Sequence, residues 1–306
     1  MTKILTVATR GGQLALAQTR IVTDALQEIY PDVTIKVKKV TTTGDRDRRT
    51  ALWNLRMSGF FTSRVEDALL AGEANLAVHS FKDLPTQQRE GLTIAAVCDR
   101  KFAQDCLVTA HPIGSVEQLA EAARVGTSSL RRAAQIRHLR ADLQCVPIRG
   151  NVQTRLKKLD AGKYDAIVLA KAGLERLSLS ERISIDLDPA QFIPAAAQGA
   201  LAVQVRSGDQ ASAGLVAAID DKKARTATLA ERQILVTMQC GCRAPVGAFA
   251  RIVGDDMKIC AFISDLDGKN FIRREIAGPI HDADKLAKEL AGNLLSAGGQ
   301  KILQNI

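Results

Sequence analysis

Short apolar runs that alternate with amphipathic stretches constrain the fold of this chain more than any other feature. Apolar runs at residues 3–9, 92–98 and 165–170 have the length of buried strands. Between such runs, residues 13–30 and 151–160 place apolar side chains at helical spacing, with one face to bury. Strands that alternate with helices are typical of α/β folds with largely parallel sheets. The pattern predicts two series of these units, the second beginning near residue 104.

The last third of the chain has a different order of elements. A helical pattern over residues 225–239 precedes strand patterns at 247–253, 258–264 and 271–276, and a further helix is expected over 282–296. Consecutive strands flanked by helices predict a small α+β domain at this end of the chain.

Two connecting segments carry local expectations of their own. Ser115 and Gln118 have the spacing of a capping box, which predicts a helix that continues to Ala123. Residues 41–57 combine Thr, Gly and Asp with a burst of arginines, which is typical of a mobile loop.

The charge balance indicates an anionic partner. Lys and Arg number 42 against 33 Asp and Glu, so the formal net charge is +9. Several arginines stand beside Gly, Ser or Thr, as in residues 128–132 and 149–151, which suits single carboxylate or phosphate groups. Aromatic residues make up only 4%, too few for the stacking platforms of a single-strand nucleic-acid binder. A duplex binder remains an alternative, and its binding would weaken steeply with salt.

Apolar segments and cysteines bear on location. The longest apolar runs, such as residues 166–170, are far shorter than the roughly 18 residues of a membrane span. The first residues lack the apolar core of a signal peptide, so we expect a cytoplasmic protein. In that compartment the six cysteines fit free thiols better than disulfides.

Three polar clusters follow predicted strands, at residues 79–83, 126–129 and 149–151. Open α/β sheets bind ligands at the carboxyl ends of their strands, and the last two clusters also begin helices, which favour anions. Each is also an ordinary helix cap when considered alone. In solution the neighbouring Lys82 and Asp83 would be a solvated pair of little consequence, whereas in a cleft Lys82 would keep Asp83 ionised, and that carboxylate could stabilise a cationic intermediate.

The Cys240-Gly241-Cys242 segment leaves three interpretations open. It could bind a metal, although no partner spacing supports this; it could present a reactive thiol beside Arg243; or it could be inert. The histidines show no metal-ligand spacing, and no metal site is predicted. The other cysteines, at positions 98, 106, 145 and 260, lie in apolar strands and are expected in the core.

Several segments, in order along nearly the whole chain, resemble one family, the porphobilinogen deaminases, also called hydroxymethylbilane synthases. They are Ala8-Thr9-Arg10 with Leu14-Ala15-Leu16-Ala17-Gln18, then residues 77–85, 125–132, 148–156, 164–170, 173–177, 197–200 and 242–247. Each segment alone is a weak signal, whereas all of them in order are highly specific.

The resemblance implies a fold and a reaction. The fold is α/β, with two periplasmic-binding-protein-like lobes and a small α+β C-terminal domain. Four porphobilinogen molecules are joined head to tail with loss of ammonia, and water releases the linear tetrapyrrole hydroxymethylbilane. A dipyrromethane cofactor is attached as a thioether to a cysteine that matches Cys242, and the essential aspartate matches Asp83.

The same resemblance, with the charge pattern, predicts the remaining site residues and the domain boundaries. Each pyrrole unit carries two carboxylates, so cofactor and substrate units together present about twelve negative charges to the protein. The residues expected to bind them are Arg10, Lys82, Thr127, Ser128, Ser129, Arg131, Arg132, Arg149, Gly150, Asn151, Arg155, Arg176 and Gln198. Lobe 1 is expected over residues 1–99 plus 200–217, lobe 2 over 100–199 and the C-terminal domain over 218–306.

The family pattern further implies a monomeric transferase whose product is used by uroporphyrinogen-III synthase, with no nucleic-acid or membrane partner. The chain departs from that pattern in two places. Ser58, Ser63 and Arg64 replace two lysines and a glutamate, and Gly12 replaces a serine. The principal alternative is a non-catalytic protein of the same architecture that binds an acidic ligand.

Overall fold

A computed structural model of the chain describes residues 4–41, 62–240 and 244–306. Cys242, Ser58 and all but the first residue of the predicted loop at residues 41–57 lie outside these ranges.

The described strands and helices follow one another in the predicted alternation. The strands are β1 (Ile4–Arg10), β2 (Thr34–Val40), β3 (Leu76–Ser80), β4 (Leu92–Cys98), β5 (Asp105–Thr109), β6 (Arg124–Gly126), β7 (Gln144–Val146), β8 (Ala166–Ala170), β9 (Ile185–Asp186), β10 (Leu201–Arg206), β11 (Val246–Val253), β12 (Asp256–Ser264) and β13 (Phe271–Pro279). The helices are α1 (Gln13–Ile29), α2 (Ser63–Leu70), α3 (Leu130–Leu139), α4 (Val152–Asp160), α5 (Lys171–Glu175), α6 (Gln210–Val216), α7 (Lys222–Thr237), α8 (Ala283–Leu294) and α9 (Gln300–Gln304).

The first sheet has the strand order β2-β1-β3-β10-β4. β1 is parallel to both β2 and β3, whereas β10 runs antiparallel between β3 and β4. Its core includes Leu5, Val7, Leu76 and Val203, against which α1 packs Val22. The continuous apolar runs form strands here because both faces of the sheet are covered.

The second sheet repeats this arrangement with the order β7-β6-β8-β5-β9. β6 is parallel to β7 and β8, and β5 is the antiparallel strand between β8 and β9. In each sheet the antiparallel strand is therefore separated along the chain from the parallel strands that it joins. The predicted fold class, two periplasmic-binding-protein-like lobes with a small α+β domain, is confirmed.

The third sheet is an antiparallel meander, β11-β12-β13. One face packs Ala248, Ile259 and Ile263 against Leu290 of α8. The other packs Phe262 against Ile193, in the irregular segment between Pro189 and Pro194. Gly247 is required at this contact, because a Cβ there would lie 2.7 Å from the Ile193 carbonyl oxygen.

By contacts, the described residues divide into two compact units. One comprises residues 4–41, 62–101 and 199–225, and the other the remaining described residues, including the third sheet. The three-part boundaries given above stay a prediction.

The expected helix from Ser115 to Ala123 is wrong. Only a single 3₁₀ turn forms, at Val116–Gln118, and the Ser115 side chain makes no capping hydrogen bond. Gln118 instead accepts from the Gly114 N–H at 2.6 Å, and Ala122 adopts a φ of 56°. The left-handed residue is incompatible with a continuing helix.

Over the described ranges, every helix is too short or too polar to span a lipid bilayer.

Candidate active site

Asp83 follows the carboxyl end of β3 in a short 3₁₀ turn, Phe81–Asp83. Phe81 is fully buried and its N–H donates to the Ala200 carbonyl at 3.0 Å, while Leu84 is also buried. These two apolar side chains fix the turn and leave the Asp83 carboxylate exposed. Arg10 ends the parallel strand β1 at the same edge of the sheet. The first sheet therefore presents an exposed carboxylate and an arginine at the carboxyl ends of its parallel strands, the edge at which open α/β sheets generally bind ligands.

His79 is a buried neutral group close to this edge. Burial lowers the pKa of its imidazole to about 4, and the Arg10 charge acts in the same direction against a side-chain interaction with Gln204. Gln204 in turn donates to the buried Glu66 at 3.1 Å. His79 is thus a buried ring near the Gln204–Glu66 pair, and it carries no charge near neutral pH.

The lowered pKa of His79 predicts acid-sensitive stability. The unfolded chain takes up the proton below pH 6.5, whereas the folded chain takes it up only near pH 4. The free energy of unfolding is therefore unaffected by His79 above pH 6.5 and decreases as the pH falls from 6.5 to 4. We expect a loss of about 3 kcal/mol across that window. Urea unfolding from pH 7 to pH 4 should show this slope, and His79→Gln should flatten it. Equal slopes would contradict the assignment.

On the second sheet, the loops after β6 and β7 are joined by hydrogen bonds. The Ser128 hydroxyl donates to the Ile148 carbonyl at 2.6 Å and accepts from the Ile148 N–H at 3.1 Å. The Thr127 N–H donates to the Val146 carbonyl at 2.9 Å. The predicted clusters at residues 126–129 and 149–151 are therefore neighbours at one sheet edge.

Both clusters cap helices. Ser129 accepts from the Arg132 N–H at 3.4 Å at the start of α3, and Asn151 accepts from the Thr154 N–H at 2.8 Å at the start of α4. Gly150 has a φ of 114°, and a Cβ there would lie 2.6 Å from Thr154 Cγ2. The capping interpretation is confirmed for Ser129 and Asn151. A binding role for these loops stays a prediction.

Arg131 and Arg132 are buried and converge on one residue that the sequence analysis missed, Asp105. Arg131 Nη2 lies 2.6 Å from Asp105 Oδ2, and Arg132 Nη2 lies 2.6 Å from Oδ1. The Asp105 carboxylate is completely buried. Gln198 donates to the same carboxylate at 2.9 Å and to the Ala103 carbonyl at 2.9 Å. Arg131, Arg132 and Gln198, all predicted site residues, thus contact the same aspartate.

Arg155 lies among other cations. Its Nε donates to the Gly150 carbonyl at 2.9 Å. Burial, followed by the charges of Arg132 and Arg149, lowers the pKa of its guanidinium to about 10. A guanidinium whose charged neighbours are also cations would be stabilised by a nearby anion.

The remaining predicted residues are placed as follows. Arg176 is half-buried at the C-terminus of α5, and Lys82 is half-buried next to Asp83. Of the departures from the family pattern, Gly12 begins α1 without a side-chain cap, Ser63 is the first residue of α2 and Arg64 is exposed.

Cys242 lies outside the described residues, but the chain on either side of it is fixed. Cys240 is buried in the third sheet's core, and its N–H donates to the Leu235 carbonyl at 3.1 Å. On the far side, Pro245 accepts from the Ser264 N–H at 3.1 Å.

The other cysteines lie in strands as predicted. Cys98, Cys106 and Cys260 are buried and Cys145 is half-buried. Burial raises the pKa of the Cys106 thiol to about 12 and that of Cys260 to about 11, so both are unreactive near neutral pH. Within the ranges that the structure describes, no three His, Cys, Asp or Glu side chains gather into a metal-ligating cluster.

Two family models match the chain. Residues 5–213 match the model for "Porphobilinogen deaminase, dipyromethane cofactor binding domain". Residues 225–296 match the model for "Porphobilinogen deaminase, C-terminal domain". Together they cover most of the sequence.

Whole-length relatives carry the same name. The chain is 45% identical over 303 residues to a porphobilinogen deaminase of Roseiflexus castenholzii, covering 99% of each chain. It is 42% identical over 306 residues to one from Desulforudis audaxviator, covering 100% of this chain and 99% of the relative. Among solved structures, the methionine-binding protein MetQ aligns over 71% of this chain and 89% of its own, with a TM-score of 0.45 and 10% identity.

Proposed function

The chain belongs to the porphobilinogen deaminase family, and on that premise we propose which of its residues bind and couple porphobilinogen. Membership makes it an enzyme of tetrapyrrole synthesis that uses a dipyrromethane cofactor. The observation that carries the proposal is the exposed Asp83, fixed at a sheet edge in a chain that matches the family from end to end.

The charges of the second unit fit the cofactor. A dipyrromethane built from two porphobilinogens carries four carboxylates, and Arg149 and Arg155 form a half-buried cationic pair beside Arg132. An anion at this position would relieve the repulsion that lowers the Arg155 pKa. These arginines, with Ser129 and Asn151 at the two helix starts, would hold the cofactor carboxylates. When bound through Cys242, the cofactor supplies the free pyrrole carbon to which the first substrate is added.

Asp83 stabilises positive charge at the coupling point. Loss of ammonia from an incoming porphobilinogen leaves a cation, and an ionised carboxylate nearby lowers the energy of that species. The exposed Asp83 is available to a ligand, and its buried neighbours Phe81 and Leu84 keep its position constant. Lys82 and Arg10 at the same edge would bind the acetate and propionate groups of the substrate.

Substituting Arg155 should separate ligand binding from stability. In a cofactor-free Cys242→Ser background, we expect Arg155→Met to raise Tm by about 2 °C, because a half-buried cation among other cations is removed. The Gly150 carbonyl that it leaves is exposed and can bind water. In the cofactor-bearing protein the same change should stall elongation, visible by intact mass as trapped enzyme–substrate adducts. Normal turnover and an unchanged adduct pattern would rule out this binding role.

The finer assignments rest on the same family. We expect a hydroxymethylbilane synthase, EC 2.5.1.61, that is cytoplasmic and monomeric and whose product is used by uroporphyrinogen-III synthase. Intact-mass measurement of the purified protein tests the central claim. The protein should be heavier than its sequence by two pyrrole units and should convert porphobilinogen to hydroxymethylbilane. A mass equal to that of the bare sequence, together with no turnover, would favour the non-catalytic binding protein.

A further inference from the structure

We infer that Asp105 is a positioning residue, which orients Arg131 and Arg132 so that the second unit binds substrate carboxylates in a fixed geometry. Asp105 touches neither substrate nor cofactor in this proposal and acts only through the arginines. The inference rests on the proposed function and extends it to a residue that the sequence motifs do not contain.

The contacts of Asp105 leave the two guanidiniums little freedom. Oδ2 accepts from Arg131 Nη2 at 2.6 Å, whereas Oδ1 accepts from both Nε and Nη2 of Arg132, at 3.1 and 2.6 Å. The opposite ends of the guanidiniums donate to backbone carbonyls, Arg131 to Ile193 at 2.6 Å and Arg132 to Val168 at 3.0 Å. A planar guanidinium fixed at both ends has one orientation.

The charge balance explains why this position needs an aspartate. Arg131 and Arg132 have side chains only 6% and 9% exposed, and Asp105 is completely buried. One carboxylate between two guanidiniums leaves one positive charge in excess among these three groups, and after burial the Arg132 charge also lowers the pKa of Arg155. Without the carboxylate, two adjacent cations would remain desolvated and uncompensated, and their side chains would turn away from each other.

Gln198 connects the same carboxylate to the segment between the second and first sheets. Its amide donates both to Asp105 Oδ1 and to the Ala103 carbonyl, and the side chain is 1% exposed. The preceding residue, Ala197, has a φ of 63°, and its N–H donates to the buried Glu231 at 2.7 Å. The segment that carries Gln198 is therefore anchored on both sides, which keeps the Asp105 cluster in one arrangement.

The test is Asp105→Asn, assayed well below its own Tm on folded protein. We expect the KM for porphobilinogen to rise at least about 10-fold and bound intermediates to be redistributed in intact-mass spectra. Asp160→Asn is the matched control, because Asp160 also pairs with an arginine of this unit, Arg182, but at a half-exposed site. The control should leave both readouts unchanged. A folded D105N protein with unaltered KM and unaltered adducts would overturn the inference.

A double variant separates positioning from a merely structural role. If Asp105 acts through Arg132, the fold-rise in KM of D105N/R132M should be well below the product of the fold-rises of the two single variants. Fully multiplicative effects would refute the coupling. Should D105N not fold, Gln198→Met removes one hydrogen bond to Asp105 and one to the Ala103 carbonyl but keeps both ion pairs, and a KM rise of about 3-fold is expected. An unchanged KM in Q198M would then count against the inference.

The proposed function and this inference fail in different ways. An unaltered protein without two added pyrrole units and without turnover would remove the proposed function. An unaltered protein with both, alongside a D105N protein that binds substrate normally, would remove only the role of Asp105.

Discussion

Replacing Cys242 with serine is expected to abolish turnover and to lower the intact mass by two pyrrole units beyond the substitution itself. A serine oxygen is a poor nucleophile at neutral pH, so the thioether to the cofactor cannot form in its place. Without a tethered pyrrole there is no acceptor for the first substrate, and the loss of activity should be complete. A C242S protein that still carried the added mass would place the attachment elsewhere.

The neighbouring cysteine provides a close control. Cys240 is two residues away but buried in the third sheet's core. Cys240→Ser should keep the added mass and the activity, with a Tm lower by a few degrees because a polar hydroxyl replaces a buried thiol. Retention of the mass in C240S and its loss in C242S would assign the attachment to one sulfur.

The second large effect is expected for Asp83→Asn, which should lower kcat by about 100-fold or more while the cofactor stays attached. The asparagine keeps the shape of the side chain but has no charge to stabilise the cation left by ammonia, and loss of a preorganised electrostatic group has effects of this size. Because Asp83 is exposed and the turn is anchored by Phe81 and Leu84, Tm should change little. Turnover and intact mass measured on the same preparation separate coupling from attachment.

A matched carboxylate elsewhere in this unit supplies the comparison. Asp24 lies on α1, with its side chain 71% exposed and a single pair to Arg20 at 3.8 Å. Asp24→Asn removes the same charge and should leave kcat unchanged. A normal kcat in D83N, or equal decreases in kcat in D83N and D24N, would refute the catalytic role of Asp83.

The regular elements were predictable because each repeats its pattern over enough residues. The strand at Leu92–Cys98 has the expected bounds, since a doubly covered strand is apolar along nearly all of its length. The short elements α5, α6 and β9 were not predicted, because five, seven and two residues give too little periodicity to detect. At Ser115 a local cap signal was present, but the chain turned at Ala122 instead.

Site residues within contiguous motifs were predicted, whereas a residue whose partners are distant along the chain was not. The exposed Asp83 and the cap residues Ser129 and Asn151 belong to contiguous motifs. Asp105 does not, because its partners lie 26, 27 and 93 residues away. A buried arginine requires a partner, so the adjacent Arg131 and Arg132 gave a signal that some carboxylate must lie beside them if they are buried. The sequence did not show which carboxylate it would be.

The position of β10 in the first sheet has a consequence for synthesis on the ribosome. Among the described strands, β4 pairs only with β10, whose residues come about a hundred positions later in the chain. The apolar strand Leu92–Cys98 therefore has no strand partner until Leu201–Arg206 has been translated and has emerged from the exit tunnel. The N-terminal half therefore cannot complete this sheet first, and during that interval the unpaired apolar strand of the nascent chain is exposed to aggregation.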